Sequence, residues 1–388
     1  MHATTKSGAF RLGLLLAVIS AFASLYVRFA AADRDSGFAV ATRSRAPAAE
    51  AVAQYENRFA SHPQRQSVHS AAAIAVRDGI RGFWYSGTVE GASDTVIATA
   101  LYSSRDASWG EEQTILTREL TQRHLHRYVR KLGNPVVVRD SRNRIWLFYV
   151  SASLGGWSGS AINVVLSDDN GYTWSAPRRL VTSPFFNIST LVKGRPFVFG
   201  DGSIGLPVYH EFIGKFGELL RLDPEGRVVA KTRLSWGRHA LQPVIVTESP
   251  TEAVGFMRYC GKDAGRVLMF STHDAGKTWS EPVKLALPNP NAAVDAVGLD
   301  DHRLLLVFNN RENDRDDLSL AFSPDKGLTW KAVHAFHALA PTPDGARAEQ
   351  SYPWIVDDQE GRFHLLYTWA RQRIRHVEFN SRWVSEQL

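Results

Sequence analysis

The sequence predicts an all-β fold, a six-bladed β-propeller. Three observations carry this. A turn pattern S/T-x-D-x-G-x-T-W occurs at 167–174, 272–279 and 323–330. These copies recur at one or two multiples of about fifty residues, the length of one propeller repeat. A second pattern of strand, polar turn and strand interleaves with the first, most clearly at 135–149 and 353–367.

Each part of the turn pattern has a physical task. Asp169, Asp274 and Asp325 can accept backbone N–H groups across their own turns. Gly171, Gly276 and Gly327 supply a positive φ that other residues resist. Trp174, Trp279 and Trp330 offer a large face for burial between neighbouring sheets. Degenerate copies fill the gaps: 104–109 with Asp106 and Trp109, 221–226 with Asp223 and Gly226, and 379–383 with Trp383. Weaker copies of the second pattern run over 196–209 and 296–308. A pair of hairpins per repeat makes four strands, which is one blade. Beyond the N-terminal segment no long helical periodicity survives, though 113–131 has room for a short helix or lid.

The N-terminus reads as an address. Lys6 and Arg11 precede an apolar run over 12–27, and Ala30, Ala31 and Ala32 follow. Residues 1–32 are therefore a signal peptide or a retained signal anchor. The chain is expected to be exported, periplasmic or extracellular, with 12–32 holding it to the membrane if the segment stays. Residues 33–64, rich in Ala, Arg and Ser, read as a linker, and 65–388 as the propeller.

Composition narrows the functions. The net charge of +6 is scattered and no nucleic-acid motif appears, so a nucleic-acid partner is not expected. Cys260 is the only cysteine, which excludes an internal disulfide and a C-x-x-C site. No H-E-x-x-H occurs, and His124 and His126 sit in a basic stretch; no metal or cofactor is expected. A monomer is expected.

The turn pattern resembles the Asp box of sialidases and their BNR-repeat relatives. A finer resemblance covers nearly all of 65–384. It rests on Val68-His69-Ser70, Phe83-Trp84-Tyr85-Ser86-Gly87-Thr88-Val89-Glu90-Gly91, Gly133-Asn134-Pro135 and Gly156-Trp157-Ser158-Gly159-Ser160. It continues through Leu206-Pro207-Val208-Tyr209-His210-Glu211, Asn309-Asn310, Ser351-Tyr352-Pro353-Trp354 and Tyr367-Thr368-Trp369-Ala370-Arg371. These segments are similar to the bacterial sialidase-like BNR subfamily, which implies exo-α-sialidase or neuraminidase activity. Asp boxes lie at outer turns in that family, so they speak for fold rather than chemistry. One departure stands out. The Arg-Ile-Pro segment that supplies the first carboxylate-binding arginine of sialidases is missing. The first blade offers His69, Arg77, Arg81 and Glu90 instead.

In a propeller, polar residues at the ends of inner strands converge on the axis. Arg258, Arg311 and Arg371 each follow an apolar run in successive repeats, with Arg315 as the rival of Arg311. Such arginines suit a sugar carboxylate, which a guanidinium grips as a fork. Tyr352 is the candidate nucleophile that the resemblance implies, with Glu211 or Glu349 to take its proton. Glu90, His69 and His210 are candidate acid or base groups. Asn134, Trp157, Gln242 and Asn309 complete the expected substrate contacts. The expected partner is a carboxylated glycan or polysaccharide.

Three functions stay open on these residues. One is a glycoside hydrolase on a carboxylated sugar, sialic acid or a relative, using Tyr352 and a carboxylate. Another is a lyase on a uronic-acid polymer, with arginines neutralising the carboxylate and His69, His210 or Tyr352 as base. The third is a non-catalytic carbohydrate-binding propeller with Trp157 for stacking.

Overall fold

The computed structural model describes residues 3–32, 36–40, 43, 52–154, 156–183, 187, 189–212, 214–237, 239–299, 302–336 and 347–388. Short strands bounded by turn residues build six antiparallel sheets. Blade 1 holds Ser67–Val76, Gly79–Gly87, Val96–Ser103 and Ser108–Trp109, with Gln113–Leu116 as a second outer piece. Blade 2 holds Lys131–Arg139, Ile145–Ala152, Ser160–Ser167 and Arg178–Arg179. Blade 3 holds Leu191–Val192 and Phe197–Val198, both paired with Ile204–His210, then Phe216–Leu222 and Val228–Arg233. Blade 4 holds Ala240–Thr247, Ala253–Tyr259, Arg266–Thr272 and Val283–Pro288. Blade 5 holds Asp295–Gly298, Leu304–Asn309, Leu318–Ser323 and Lys331–Ala335.

Blade 6 closes the ring. Gln350–Asp357, Arg362–Trp369 and Arg373–Asn380 come from the C-terminus, and Tyr55–Phe59 pairs antiparallel with Arg373–Asn380 as the outer strand. This corrects the expected 33–64 linker, because part of that span is propeller. Tyr55–Phe59 has no hairpin partner nearby in sequence, so local reading misses it. Residues 36–40 and Arg43 also dock rather than hang free. Phe38 bridges Phe199, its N–H reaches the Pro250 carbonyl at 2.8 Å, and Arg43 pairs with Glu248 at 2.9 Å. The N-terminal segment is one helix, Ala3–Ala32, with Phe10, Leu12, Leu14 and Leu15 exposed. Among the described residues no helix is long and apolar enough to cross a membrane. The anticipated short helix is present as Arg118–Leu125, with the Thr117 side chain accepting the Leu120 N–H.

The turn pattern behaves as a staple between the third and fourth strands. Asp274 accepts the Thr278 N–H at 2.9 Å and the hydroxyls of Thr278 and Thr272 at 2.6 and 2.8 Å. Asp169 and Asp325 repeat this. Gly171, Gly276 and Gly327 have φ of 89°, 79° and 90°. The box tryptophans are half-buried rather than buried, since each lies at a turn on the rim of the core. Trp174 meets Phe83 of blade 1 edge-on at 5.7 Å and Trp330 meets Phe256 of blade 4 at 5.6 Å, so they tie one blade to the previous one. The fully buried tryptophans are instead Trp84, Trp146 and Trp354.

Two ends of the axis differ. The C-terminal ends of the inner strands surround an apolar cavity of about 430 Å³, lined by Ala73, Val137, Ile245, Ala296 and Val356 and flanked by Val40 and Arg43. The N-terminal ends form the opposite mouth. There the register slips in blades 1, 2, 4 and 6, between His69 and Ala72, Gly133 and Val136, Leu241 and Val244, and Ser351 and Trp354. Each slip is a bulge, which re-aims a side chain.

Candidate axial site

Each bulge leaves one residue in the left-handed region: Ser70, Asn134, Gln242 and Tyr352, with φ of 57°, 39°, 56° and 55°. Ser189 and Asn291 take the same conformation just before the inner strands of blades 3 and 5. Such backbone costs roughly 1–3 kcal/mol per residue and persists where function uses it. In three blades the next residue is proline, Pro135, Pro243 and Pro353. Proline has no N–H to waste at a bulge.

These residues converge through hydrogen bonds. The Tyr209 hydroxyl accepts from Asn134 Nδ2 at 3.2 Å and from Gln242 Nε2 at 3.4 Å. The Tyr352 hydroxyl accepts from Gln242 Nε2 at 3.3 Å and from Arg258 Nη1 at 3.4 Å. Arg258 also donates to Gln242 Oε1 at 3.2 Å and to Asn291 Oδ1 at 2.5 Å. Arg315 donates to the Asn291 carbonyl at 2.6 Å and to Glu349 at 3.4 Å. Glu349 takes two further bonds from Arg371, at 2.6 and 3.3 Å, and one from the Ser351 hydroxyl at 2.6 Å. Arg371 reaches Glu90 with its remaining nitrogen. Below the mouth, Lys193 is fully buried and donates to the Pro353 carbonyl at 3.0 Å.

His69 lies behind Tyr352. It is 1% exposed, neither ring nitrogen has a hydrogen-bond partner, and Tyr85 meets it edge-on at 5.6 Å. Burial, then the Arg371 charge, lowers its pKa to about 3, so the ring is neutral at neutral pH. Burial pushes Glu349 upward, but the bonds from Arg371 and Ser351 win and hold it at about 2. Burial brings Lys193 down to about 8. Burial and the nearby Glu90 raise Tyr85, while burial and the neighbouring Tyr352 and Glu211 raise Tyr209.

The network thus joins Tyr352, Glu90, Arg258, Arg371, Asn134 and Gln242, with His69 packed against the Tyr352 ring. Other anticipated residues sit elsewhere. His210 is held sideways by Glu218 at 2.7 Å and stacks on Phe216 at 4.5 Å. Glu211 stands at the blade 3 rim, its N–H bonded to the Ser189 hydroxyl at 3.0 Å. Arg311 pairs with Asp316 at 2.9 Å outside the network, because the loop after Leu304–Asn309 turns it outward; Arg315 occupies the inner place. Asn309 is buried and donates to the Gln350 carbonyl at 2.8 Å, so it braces an inner strand from behind. Trp157 packs on Gly133, and the Lys131 ammonium lies 3.7 Å from its ring centroid, which covers the face expected to stack on sugar. Sequence reasoning missed Asn291, Tyr209, Tyr85, Ser351 and Lys193. The tyrosines end apolar strands and read as core, and Lys193 has no motif around it. The repeated residue-proline step at the bulges was a usable signal.

Away from the axis, His364, His376 and Glu378 are the described group with metal-ligand spacing. Trp109 Nε1 donates to His376 Nδ1 at 3.1 Å, which leaves the His376 proton on Nε2, 3.0 Å from His364 Nδ1. Glu378 is taken by Arg58 and Tyr102. The His376 nitrogens, His364 Nδ1 and Glu378 are thus engaged, while His364 Nε2 is buried without a hydrogen-bond partner, 3.7 Å from Asp358.

A family model described as a BNR repeat-like domain matches residues 78–365. The chain belongs to this family. Its BNR fold is shared by solved structures of low sequence identity. A Hadza microbial sialidase matches with a TM-score of 0.67 at 16% identity, over 82% of this chain and 67% of that one. The intramolecular trans-sialidase from Ruminococcus gnavus, in complex with oseltamivir carboxylate, gives 0.64 at 13% identity, over 84% and 97%. A protein of unknown function from Dyadobacter fermentans gives 0.66 at 14% identity, over 84% and 98%. A search of curated proteins found no match. At these identities the likeness speaks for the propeller of this BNR-family chain, not for its substrate.

Proposed function

We propose that the chain is an exported glycoside hydrolase acting on a carboxylated sugar, sialic acid or a relative. The observation that carries this reading is the Tyr352 hydroxyl, which accepts N–H bonds from Gln242 and Arg258 on strained backbone at the axial mouth. Two donors, one cationic, hold the Tyr352 oxygen in place at the mouth. Tyr352 Oη would then form a bond to the anomeric carbon as the bond to the leaving group breaks. Glu349, held at about 2 by the bonds from Arg371 and Ser351, is a poor acceptor for the Tyr352 proton. Glu211, with no arginine bond among the described residues, is the carboxylate left to take that proton and return it to the leaving group. Arginine at the mouth would hold the carboxylate. The resemblance to solved sialidases supports the reaction class in the same sense. The helix Ala3–Ala32 would direct export, periplasmic or extracellular, with or without a retained anchor, and the partner would be a glycan met by a monomer.

A second reading, β-elimination on a uronic-acid polymer, is favoured by neutral His69 against the Tyr352 ring and by the lack of a blade 1 arginine in the network. One experiment separates them. The purified protein is incubated with a fluorogenic sialoside and, in parallel, with uronate polymers. Fluorescence release supports hydrolysis. New ultraviolet absorbance of an unsaturated sugar supports elimination. Silence in both overturns both readings and leaves a carbohydrate binder.

A further inference from the structure

The loops around the axial mouth differ sharply from one side of the ring to the other. In an antiparallel blade, the loop between the second and third strands and the segment entering the inner strand both lie at the mouth. Six large apolar side chains stand exposed on these loops. Val89, Leu154 and Phe212 lie between the second and third strands of blades 1, 2 and 3. Tyr128, Val181 and Trp236 lie on the approaches to the inner strands of blades 2, 3 and 4. Leu154 is 77% exposed, Val181 70% and Trp236 66%. The Ser153 hydroxyl bonds the Tyr128 carbonyl at 2.6 Å, which brings the Leu154 loop against Tyr128. The Arg233 guanidinium lies 5.4 Å from the Trp236 ring centroid and backs one face of it. The same side is basic. Arg123, Arg127 and Arg130 are exposed on and just after the helix Arg118–Leu125. Arg118 pairs with Glu119 at 2.7 Å, but among the described residues no carboxylate pairs with the other three. Across the mouth the blade 5 loop 310–317 carries four acidic residues, two arginines that are both paired, and no large apolar side chain.

Exposed apolar side chains grouped beside unpaired charges mark an interaction surface. We propose that the mouth rim of blades 1 to 4 is a contact surface for an anionic lipid bilayer. Leu154, Val181, Phe212 and Trp236 enter the interface, and Arg123, Arg127 and Arg130 meet the headgroups. Cations without counter-ions are complementary to an anionic leaflet, and Trp and Tyr favour the boundary between headgroups and acyl chains. An acidic polysaccharide would also use the arginines and could stack on Trp236. It offers nothing to Leu154 and Val181, which have neither a flat face nor a polar side-chain atom. The acidic blade 5 side is repelled by the same leaflet, so the contact is one-sided and leaves the mouth open. The proposal goes beyond the glycosidase reading. It concerns where a sugar is met, among headgroups carried by a lipid surface, and it stands on the rim alone.

The test reads contact, independent of turnover. In the full-length protein Cys260, the only cysteine, is changed to Ser, and a polarity-sensitive fluorophore is attached at Leu154→Cys or at Leu328→Cys. Leu328 is 79% exposed on the turn between the third and fourth strands of blade 5, at the end opposite the mouth. Melting curves confirm that each variant is folded. Vesicles of phosphatidylcholine alone, or of phosphatidylcholine and phosphatidylglycerol in equal parts, are then titrated in. The label replacing Leu154 is expected to shift to the blue on the anionic vesicles and far less on the uncharged ones, and the shift weakens as salt is raised. The label replacing Leu328 does not respond. Changing Arg123, Arg127 and Arg130 together to Gln raises the lipid concentration needed for the shift at least tenfold, since each cation near an anionic surface contributes about fivefold. A shift at Leu328 instead, an equal shift on uncharged vesicles, no shift at either label, or a triple variant that binds as native overturns the proposal. So does a label that answers soluble polyuronate and no vesicle, which makes the rim a polysaccharide groove. Vesicle contact through this rim with no sialoside cleaved refutes the hydrolase reading and leaves this one standing.

Discussion

The Tyr352 ring lies 4.2 Å from the His69 ring, tilted by 54°, while its hydroxyl points the other way toward Gln242 and Arg258. The two ends of one side chain therefore meet opposite environments. The ring packs on a neutral, buried imidazole. The oxygen meets N–H donors and a cation. This polarity fixes the oxygen at the mouth and lets the ring anchor it from behind. The left-handed backbone at Tyr352, at the blade 6 bulge, re-aims the side chain so that its hydroxyl meets Gln242 and Arg258.

Tyr352→Phe separates the two ends. The ring and its contact with His69 remain, and only the oxygen goes. Turnover, whichever sugar proves to be cleaved, is expected to fall by orders of magnitude. Binding should weaken by at most about tenfold, since the one ligand hydrogen bond lost with the hydroxyl is worth roughly 0.5–1.5 kcal/mol. Kinetics and ligand titration on the same sample check both. A variant with native turnover removes Tyr352 from the chemistry.

The ring closure gives a prediction about length. Tyr55–Phe59 supplies the outer strand of blade 6, Arg58 pairs with Glu378 at 2.8 Å, and Tyr55 lies 4.9 Å from the Trp383 ring. A 65–388 fragment lacks all three and leaves Arg373–Asn380 as an open edge, which invites aggregation. A 33–388 fragment keeps them. The shorter fragment is expected to melt several degrees lower and to elute as aggregate. Equal melting of the two would mean that the closing strand adds nothing.

The contrast between these two cases shows what was legible. Local turn chemistry is written in the sequence: Asp169, Asp274 and Asp325 each announce a turn by their spacing to Gly and Trp, and the spacing counts the blades. Tyr55–Phe59 is invisible because its partner strand lies at the far end of the chain. At the site, Arg258, Arg371 and Tyr352 are readable as polar residues ending or opening apolar strands. Arg311 and Arg315 share one loop, and only its path decides which faces inward. His210 ends a strand as His69 begins one, yet Glu218 draws it aside. Side-chain pairing across blades carries no local periodicity, so the sequence pattern is silent about it.

The Asp boxes lie at the end of the blades opposite the mouth, so damage to them should cost stability and spare chemistry. Asp274→Ala strips the acceptor from the Thr278 N–H and two hydroxyls and is expected to cost about 1–3 kcal/mol. Trp279 is half-buried, meeting Phe270 at 5.2 Å. Trp279→Ala should thus cost roughly 2–3 kcal/mol, below the 3–5 of a fully enclosed ring. Denaturant unfolding measures both. Turnover by the folded fraction should be unchanged, and a box variant that is stable but inactive would contradict this assignment.

Acid sensitivity follows from two buried histidines. Burial and the Arg371 charge lower His69 to about 3; burial and the neighbouring His364 carry His376 well below its ordinary 6.5. In the unfolded chain both titrate near 6.5. Above that pH neither state holds the proton, and the histidines leave stability flat. Below it the unfolded chain takes up protons that the folded chain refuses, so the folded state loses ground as pH falls. Each histidine contributes a slope of up to about 1.4 kcal/mol per pH unit, running for His69 until about pH 3. Glu349 acts lower down. Its folded value of about 2 adds stability above pH 4.5 that disappears as pH falls through 2. The interval from pH 6.5 to 5 thus isolates the histidines from the carboxylates. Denaturant midpoints are expected to hold from pH 8 to 6.5 and then decline to pH 5. His376→Gln should be less stable at pH 8, having lost the bond from Trp109, but should decline less steeply below 6.5. A native protein whose midpoint does not fall between pH 6.5 and 5 would show that the two imidazoles take up protons in place.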